Sequence, residues 1–139
     1  MLNAERALKY RQAVGGFLYL AGETRPDLAF ATTYMSQFNN CPYKEHWAGI
    51  EYIFRYLKQT KELKLPLQKT GKDLEVFCDS DWAGDKIGRR SFSGYAVLLA
   101  GGAVSWSSKK QQTTALSTVE GEYLSMCHAA KEVKWFQNF

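Results

Sequence analysis

The apolar pattern changes its period halfway along the chain, and few folds allow that. Up to about residue 60 apolar side chains recur every three or four residues, and from residue 63 they alternate. The first spacing puts them on one stripe of a helix, the second on one face of a strand. A run of helices followed by a run of strands predicts an α+β chain, not the βαβ alternation of a parallel sheet.

In the first half, Leu8 to Ala21 carries Val14, Phe17, Leu18 and Ala21 at helical spacing, interrupted by Gly15-Gly16, which suggests close packing or a kink. Thr24-Arg25-Pro26-Asp27 then reads as a helix start, with Thr24 as the cap, Pro26 in the first turn and Asp27 at the positive end of the dipole. Leu28, Ala31, Met35 and Phe38 form its stripe, and Asn39-Asn40-Cys41-Pro42 ends it. Trp47, Ile50, Phe54 and Leu57 repeat the spacing in a third helix that finishes near Gln59-Thr60.

In the second half, Leu63, Leu65 and Leu67 alternate, but Pro66 limits them to an edge. A turn is expected over 69–73, followed by a strand in which Leu74, Val76 and Cys78 make the apolar face. Gly94 to Ala100 reads as a buried strand, turned by Gly101-Gly102 into a hairpin with Ala103 to Ser108, where Val104 and Trp106 share a face. Ser117-x-x-Glu120 is a capping box opening a last helix with the stripe Tyr123, Met126, Ala130 and Val133. The division expected is 1–68 helical and 69–139 three strands with a helix. One helix covers one face of such a sheet, and Trp135, Phe136 and Phe139 close the chain with aromatics that want a partner, so the chain reads as cut short.

Composition removes several classes. With 45% hydrophobic and 14% aromatic residues the chain is globular and not disordered. No apolar run approaches the ~20 residues of a membrane span, and no basic segment followed by an apolar one marks a signal peptide, so an intracellular protein without a membrane partner is expected. Cys41, Cys78 and Cys127 are odd in number and form no Cys-x-x-Cys pair, which fits reduced thiols and gives no zinc set with His46 and His128.

The net charge of +4 resides in the first half: residues 1–70 hold ten Lys/Arg against six Asp/Glu, residues 71–139 eight of each. Between Lys86 and Val119 there are five basic residues (Lys86, Arg89, Arg90, Lys109, Lys110) and no acid. Such segregation makes a phosphate-attracting surface beside an acidic spot, or a plain solvated loop. The acidic spot begins at Asp79-Ser80-Asp81, a strand end followed by small residues, where hard oxygen ligands suit a divalent cation and capping of turn amides is the alternative. Glu120-Gly121-Glu122 opens the last helix, where the cap and the dipole already explain acids. A strand-end aspartate with a helix-start glutamate is the layout that holds Mg²⁺ for phosphodiester hydrolysis.

At these residues the chain resembles a known family. FCDSDWAGD, then RRSFSGYAVLLAGGAVSWSSKKQQTTALSTVEGEYLSMCHAAKE, is similar to the start of the ribonuclease H region of copia-type retrotransposon Pol polyproteins. The family pattern runs D-x-D-W-A-G, S-T-S-G-Y, S-W-x-S-K-K-Q and A-L-S-S-T-E-A-E-Y. Ser91-Phe92-Ser93 departs from it, as do Val119 and Gly121, and no carboxylate is touched. Upstream, Tyr10-Arg11, Val14-Gly15, Leu18-Tyr19-Leu20, Thr24-Arg25-Pro26-Asp27, His46-Trp47 and Arg55-Tyr56-Leu57-Lys58 resemble the C-terminal end of the reverse transcriptase, a thumb or connection segment.

The resemblance implies a truncated ribonuclease H-like mixed sheet after that helical segment. It assigns Asp79 and Glu120 as the first catalytic aspartate and the catalytic glutamate, both ligands of Mg²⁺. Asp81 and Glu122 match the pattern as solvated acids, and the two further aspartates that the family uses lie beyond Phe139. An RNA–DNA hybrid and the remaining Pol polyprotein are the partners implied, with Arg55, Lys58, Arg89, Arg90, Lys109 and Lys110 as phosphate contacts. A fragment that is catalytically incomplete by itself is therefore expected. The alternatives are a non-catalytic nucleic-acid-binding remnant and a degenerate open reading frame with no selected role.

Overall fold

Asn3 starts the first helix by accepting the Arg6 N–H on its side-chain oxygen at 2.9 Å, and the helix, α1 (Ala4–Glu23), then runs without a break. In this computed structural model, which describes residues 1–68, 71, 73–85 and 88–138, Gly15 and Gly16 neither kink α1 nor pack against anything, since a Cβ on either would meet open space. The buried stripe is Tyr10, Val14, Phe17 and Ala21.

Thr24 does not cap a new helix; its N–H bonds back to the Leu20 carbonyl and closes α1. Pro26–Leu28 forms a single 3-10 turn leading into α2 (Ala29–Ser36), and α3 spans Lys44–Gln59. The expected acidic group at the helix start has another task. Asp27 takes Arg25 on both carboxylate oxygens at 2.9 and 2.7 Å and accepts the Tyr56 hydroxyl at 2.9 Å, while Arg25 also donates to the Thr60 carbonyl and hydroxyl. The end of α3 is thereby fastened to the start of the α2 segment.

The three helices bury Leu2, Tyr10, Val14, Phe17, Ala21, Leu28, Ile50 and Ile53 in one core. Tyr10 is wholly buried; its hydroxyl donates to the Met35 carbonyl at 2.7 Å, and burial pushes the phenol up to about 12. On α3 the inward positions are Ile50 and Ile53. Phe54, expected in the stripe, flanks it half-exposed with its ring edge against Phe17, centroids 4.7 Å apart. Met1–Lys64 is one compact unit and Leu65–Phe139 a second.

Leu63, at the end of the first unit, and Leu65 and Leu67, at the start of the second, form no strand. The segment instead runs beside a hairpin turn, with Gln68 N–H on the Ala100 carbonyl and the Pro66 carbonyl so near Gly102 that a Cβ there would collide with it. Residues 69, 70 and 72 of the expected turn, and Lys86 of the basic stretch, lie outside the described residues. The strands are β1 (Glu75–Asp81), β2 (Phe92–Leu99) and β3 (Gly102–Lys110), in the order β1-β2-β3.

Both pairings are antiparallel, so the described sheet is not mixed. The connections explain this: parallel neighbours need a crossover of a dozen or more residues, usually a helix, and none intervenes. The tight turn is Ala100-Gly101, both with positive φ (53° and 77°), one residue earlier than the glycine pair suggested. Two left-handed residues match the right-handed twist of a hairpin.

Helix α4 (Thr118–Phe136) lies across β1 and β2. It turns Gly121, Ser125 and Ala129 inward, and leaves Tyr123, Met126 and Ala130 of the expected apolar stripe exposed. Small residues let the helix approach the sheet: a Cβ on Gly121 would stand 3.0 Å from Ser80 Oγ. The Ser125 hydroxyl is satisfied by the Asp79 carbonyl at 2.6 Å and the Gly94 carbonyl at 3.1 Å.

Candidate functional site

Strand alternation decides where each β1 side chain goes. Val76 and Cys78 line a groove with Met126, Ala129, Ala130 and Val133 of α4, and Ser80 meets Gln111 and the Gly121 backbone. The even-numbered residues therefore face α4. Asp79 belongs to the other set, with Phe77, which is 59% exposed. Its main chain is tied to α4 through Ser125, but its carboxylate points to the face that α4 does not cover.

Glu120 sits where the capping box put it, and only half of the box forms as expected. Ser117 Oγ accepts the Glu120 N–H at 3.2 Å, while Glu120 Oε2 takes the Leu116 N–H at 2.7 Å, one residue further upstream than the usual reciprocal bond. Among the described residues, Glu122 has no such partner.

Gln111 is a residue that sequence reading passed over. It is 4% exposed, and its Nε2 reaches Ser93 Oγ at 2.7 Å, the Gly121 carbonyl at 3.1 Å and Ser80 Oγ at 3.4 Å. It thus joins the neighbour of Asp79 to the neighbour of Glu120. A glutamine in a run of Lys-Lys-Gln-Gln carries no periodic signal of burial.

Oxygen donors are the right chemistry for Mg²⁺. The arrangement does not complete a site: among the described residues no group of three or more His, Cys, Asp or Glu could hold a metal ion. Glu120 is engaged at the helix start, and Asp79 belongs to the strand face away from the helix. A two-metal centre needs several carboxylates on one spot, and these two are not such a set.

The basic residues differ among themselves. Arg89 and Arg90 are exposed in the loop after β1, and Arg89 adopts φ 54°. Lys109 is exposed near the end of β3. Lys110 is not open to a ligand in the same way, because its ammonium pairs with the buried Asp85 at 2.5 Å. Asp85 also accepts the Gly88 N–H at 2.8 Å, and its main chain bonds to Arg89 and Arg90, so it organises the loop that carries both arginines. In the helical unit Arg55 and Lys58 are exposed on α3, with the Arg55 guanidinium 5.9 Å from the ring centre of Tyr52, itself 67% exposed. No described helix is long and apolar enough to cross a membrane.

No protein-family model and no solved structure matches the chain. Among curated proteins it is 46% identical over 127 residues to "Secreted RxLR effector protein 161" of Plasmopara viticola, covering 91% of this chain and 89% of that protein. It is 41% identical over 130 residues to the "Retrovirus-related Pol polyprotein from transposon TNT 1-94" of Nicotiana tabacum, covering 94% of this chain. It is 39% identical over 128 residues to the Pol polyprotein from transposon RE2 of Arabidopsis thaliana, covering 91%. The chain spans 10% and 9% of the length of those two polyproteins. Over nearly its whole length the chain is therefore similar to one short segment of the retrovirus-related Pol polyproteins of copia-type transposons.

Proposed function

We propose that the chain is the part of a copia-type Pol polyprotein that joins the end of the reverse transcriptase to the start of the ribonuclease H domain, and that it binds an RNA–DNA hybrid. The helical unit is the reverse-transcriptase piece. The sheet with α4 is the opening of the ribonuclease H domain. In the whole polyprotein Asp79 and Glu120 would be two of the several carboxylates that hold Mg²⁺, and the metal would supply charge stabilisation for cutting the hybrid's RNA strand. In the 139 residues alone the fitting role is binding, by phosphate contacts from Arg55, Lys58, Arg89, Arg90 and Lys109.

The observation that supports this best is the order strand, strand, strand, helix, with α4 entering against the Asp79 end of β1 through Ser125 and Gly121. Anisotropy of a labelled hybrid against salt tests it. Affinity should fall linearly on logarithmic axes, with a slope near −0.9 per phosphate neutralised on a B-form duplex. Absence of binding at low salt overturns the reading.

A second reading, a non-catalytic nucleic-acid-binding remnant, draws support from the relative of which this region makes up 89%. Hybrid binding that persists without cleavage, whatever carboxylates are supplied on a longer chain, selects it.

A further inference from the structure

We propose that the cleft between β3 and the outer side of α4 is a binding site for a phosphate group. It has a volume of about 250 Å³ and contains Lys109 and Ser107 from β3, His128 and Lys131 from α4, and Ser93 and Tyr95 from β2. The fold brings them together for simple reasons. Ser107 and Lys109 are two apart on a strand and so share a face, and His128 and Lys131 are three apart on a helix and so are neighbours.

Charge and hydrogen bonding both fit an oxyanion. The cations come from two different elements, and among the described residues none of Lys109, His128 and Lys131 has an ion-pair partner. Lysine binds phosphate as a point charge with three rotatable donors, and serine hydroxyls add neutral ones. Glu132, the cleft's acid, accepts the Ser105 hydroxyl at 2.7 Å. Two ammonium groups therefore stand against one carboxylate, before any proton on His128. The volume leaves room for a phosphate with several waters, each of which takes about 30 Å³ in the liquid.

The cleft is separate from the acidic residues. It lies on the α4 side of the sheet, whereas the Asp79 carboxylate belongs to the opposite face. Gly94, which lines the cleft, is nevertheless the residue that pairs with Asp79 in the β1–β2 register. A phosphate bound here is fixed in register with the Asp79 row from the other side of the sheet. The phosphate could belong to a nucleic-acid backbone or be free, and the two sources are separated by experiment.

Nuclear magnetic resonance of the full 139-residue chain tests this with two probes, inorganic phosphate and an RNA–DNA hybrid. Phosphate should shift the Ser107 amide and the His128 ring signals. The double variant Lys109→Gln, Lys131→Gln should lose those shifts while the remaining spectrum keeps its dispersion. If the phosphate is that of a backbone, the hybrid moves the same signals, and the double variant lowers the salt slope of hybrid binding by about two. Glu132→Gln should tighten phosphate binding roughly fivefold, the worth of one like charge about 4 Å away in water. Shifts with phosphate but not with hybrid assign the cleft to free phosphate or a nucleotide. Hybrid binding that leaves Ser107 and His128 unmoved, with no response to phosphate, overturns the cleft and leaves the proposed function standing. No hybrid binding at all, with the phosphate shifts intact, does the reverse.

Discussion

Glu120 Oε2 holds the Leu116 N–H at 2.7 Å while the Glu120 N–H is itself held by Ser117 Oγ. The carboxylate that the family resemblance assigns to catalysis is thus also part of the cap of α4. Glu120→Ala should lower stability to urea by about 1 kcal/mol, the usual worth of a helix cap, whereas Glu122→Ala should stay within about 0.5 kcal/mol. Equal losses from the two substitutions would show that the Leu116 bond contributes nothing.

Lys110 and Asp85 make the second separable pair, with side chains 28% and 11% exposed. Removing the ammonium takes the Lys110 charge away from a carboxylate that is 11% exposed. Lys110→Gln should therefore cost about 1–3 kcal/mol, and Lys109→Gln almost nothing. Adding Asp85→Asn to Lys110→Gln should cost less than Asp85→Asn does in the wild type, since the two groups are coupled. The salt slope of hybrid binding should be the same with and without Lys110. A slope that falls by about one on Lys110→Gln would make Lys110 a phosphate contact after all.

The two pairs show what a sequence hides. Much of the helical core was legible, because Val14, Phe17, Ala21, Leu28 and Ile50 are apolar at helical spacing and are buried; Tyr10 and Ile53, buried too, lie outside the stripes read, and Leu18, read as part of one, is 40% exposed. The face of α4 was not. Hydrophobicity ranks Tyr123 and Met126 above Gly121 and Ser125, yet close approach of a helix to a sheet needs small side chains, and the Ser125 hydroxyl meets the Asp79 and Gly94 carbonyls. Asp79 and Glu120 were legible as residue types at a strand end and a helix start. Their local ties were not, because these come from the alternation of β1, which assigns Ser80 to the helix, and from a cap that engages Glu120. Lys110 read as one more cation in a basic run until the loop fold brought Asp85 to it.

Asp27 gives the helical unit an acid-sensitive fastening. Hydrogen bonds from Arg25, aided by the Tyr56 hydroxyl, hold its carboxyl below the usual aspartate range, and partial burial offsets this only in part. A depressed folded-state value means that the contribution to stability is complete above the unfolded value of about 3.9 and disappears as pH falls through the folded one. The unfolding free energy of the wild type should therefore drop more steeply below about pH 4 than that of Asp27→Asn. Above about pH 5 the gap between the two should be constant. Parallel curves down to the acid limit would mean that Asp27 has the same affinity for its proton folded and unfolded.

The last prediction is that the 139-residue chain binds hybrid without hydrolysing its RNA strand. Two-metal hydrolysis places a pair of ions about 4 Å apart, one on the attacking and one on the leaving oxygen, and each must be held by carboxylates converging on one spot. The described residues present no group of three possible ligands. Asp79 is directed away from α4 by its strand, and Glu120 is engaged with Leu116. Mg²⁺ keeps its waters unless near-octahedral ligation replaces them, so single carboxylates leave it hydrated and loosely held. A leaving oxygen without charge stabilisation forfeits about 3 kcal/mol or more of barrier lowering, a hundredfold or greater loss. Labelled hybrid incubated with purified chain and Mg²⁺ or Mn²⁺ should remain intact, and Asp79→Asn and Glu120→Gln should behave as the wild type does. Cleavage abolished by both substitutions would mean that the two carboxylates do meet on a metal, through a rearrangement of β1 and the start of α4.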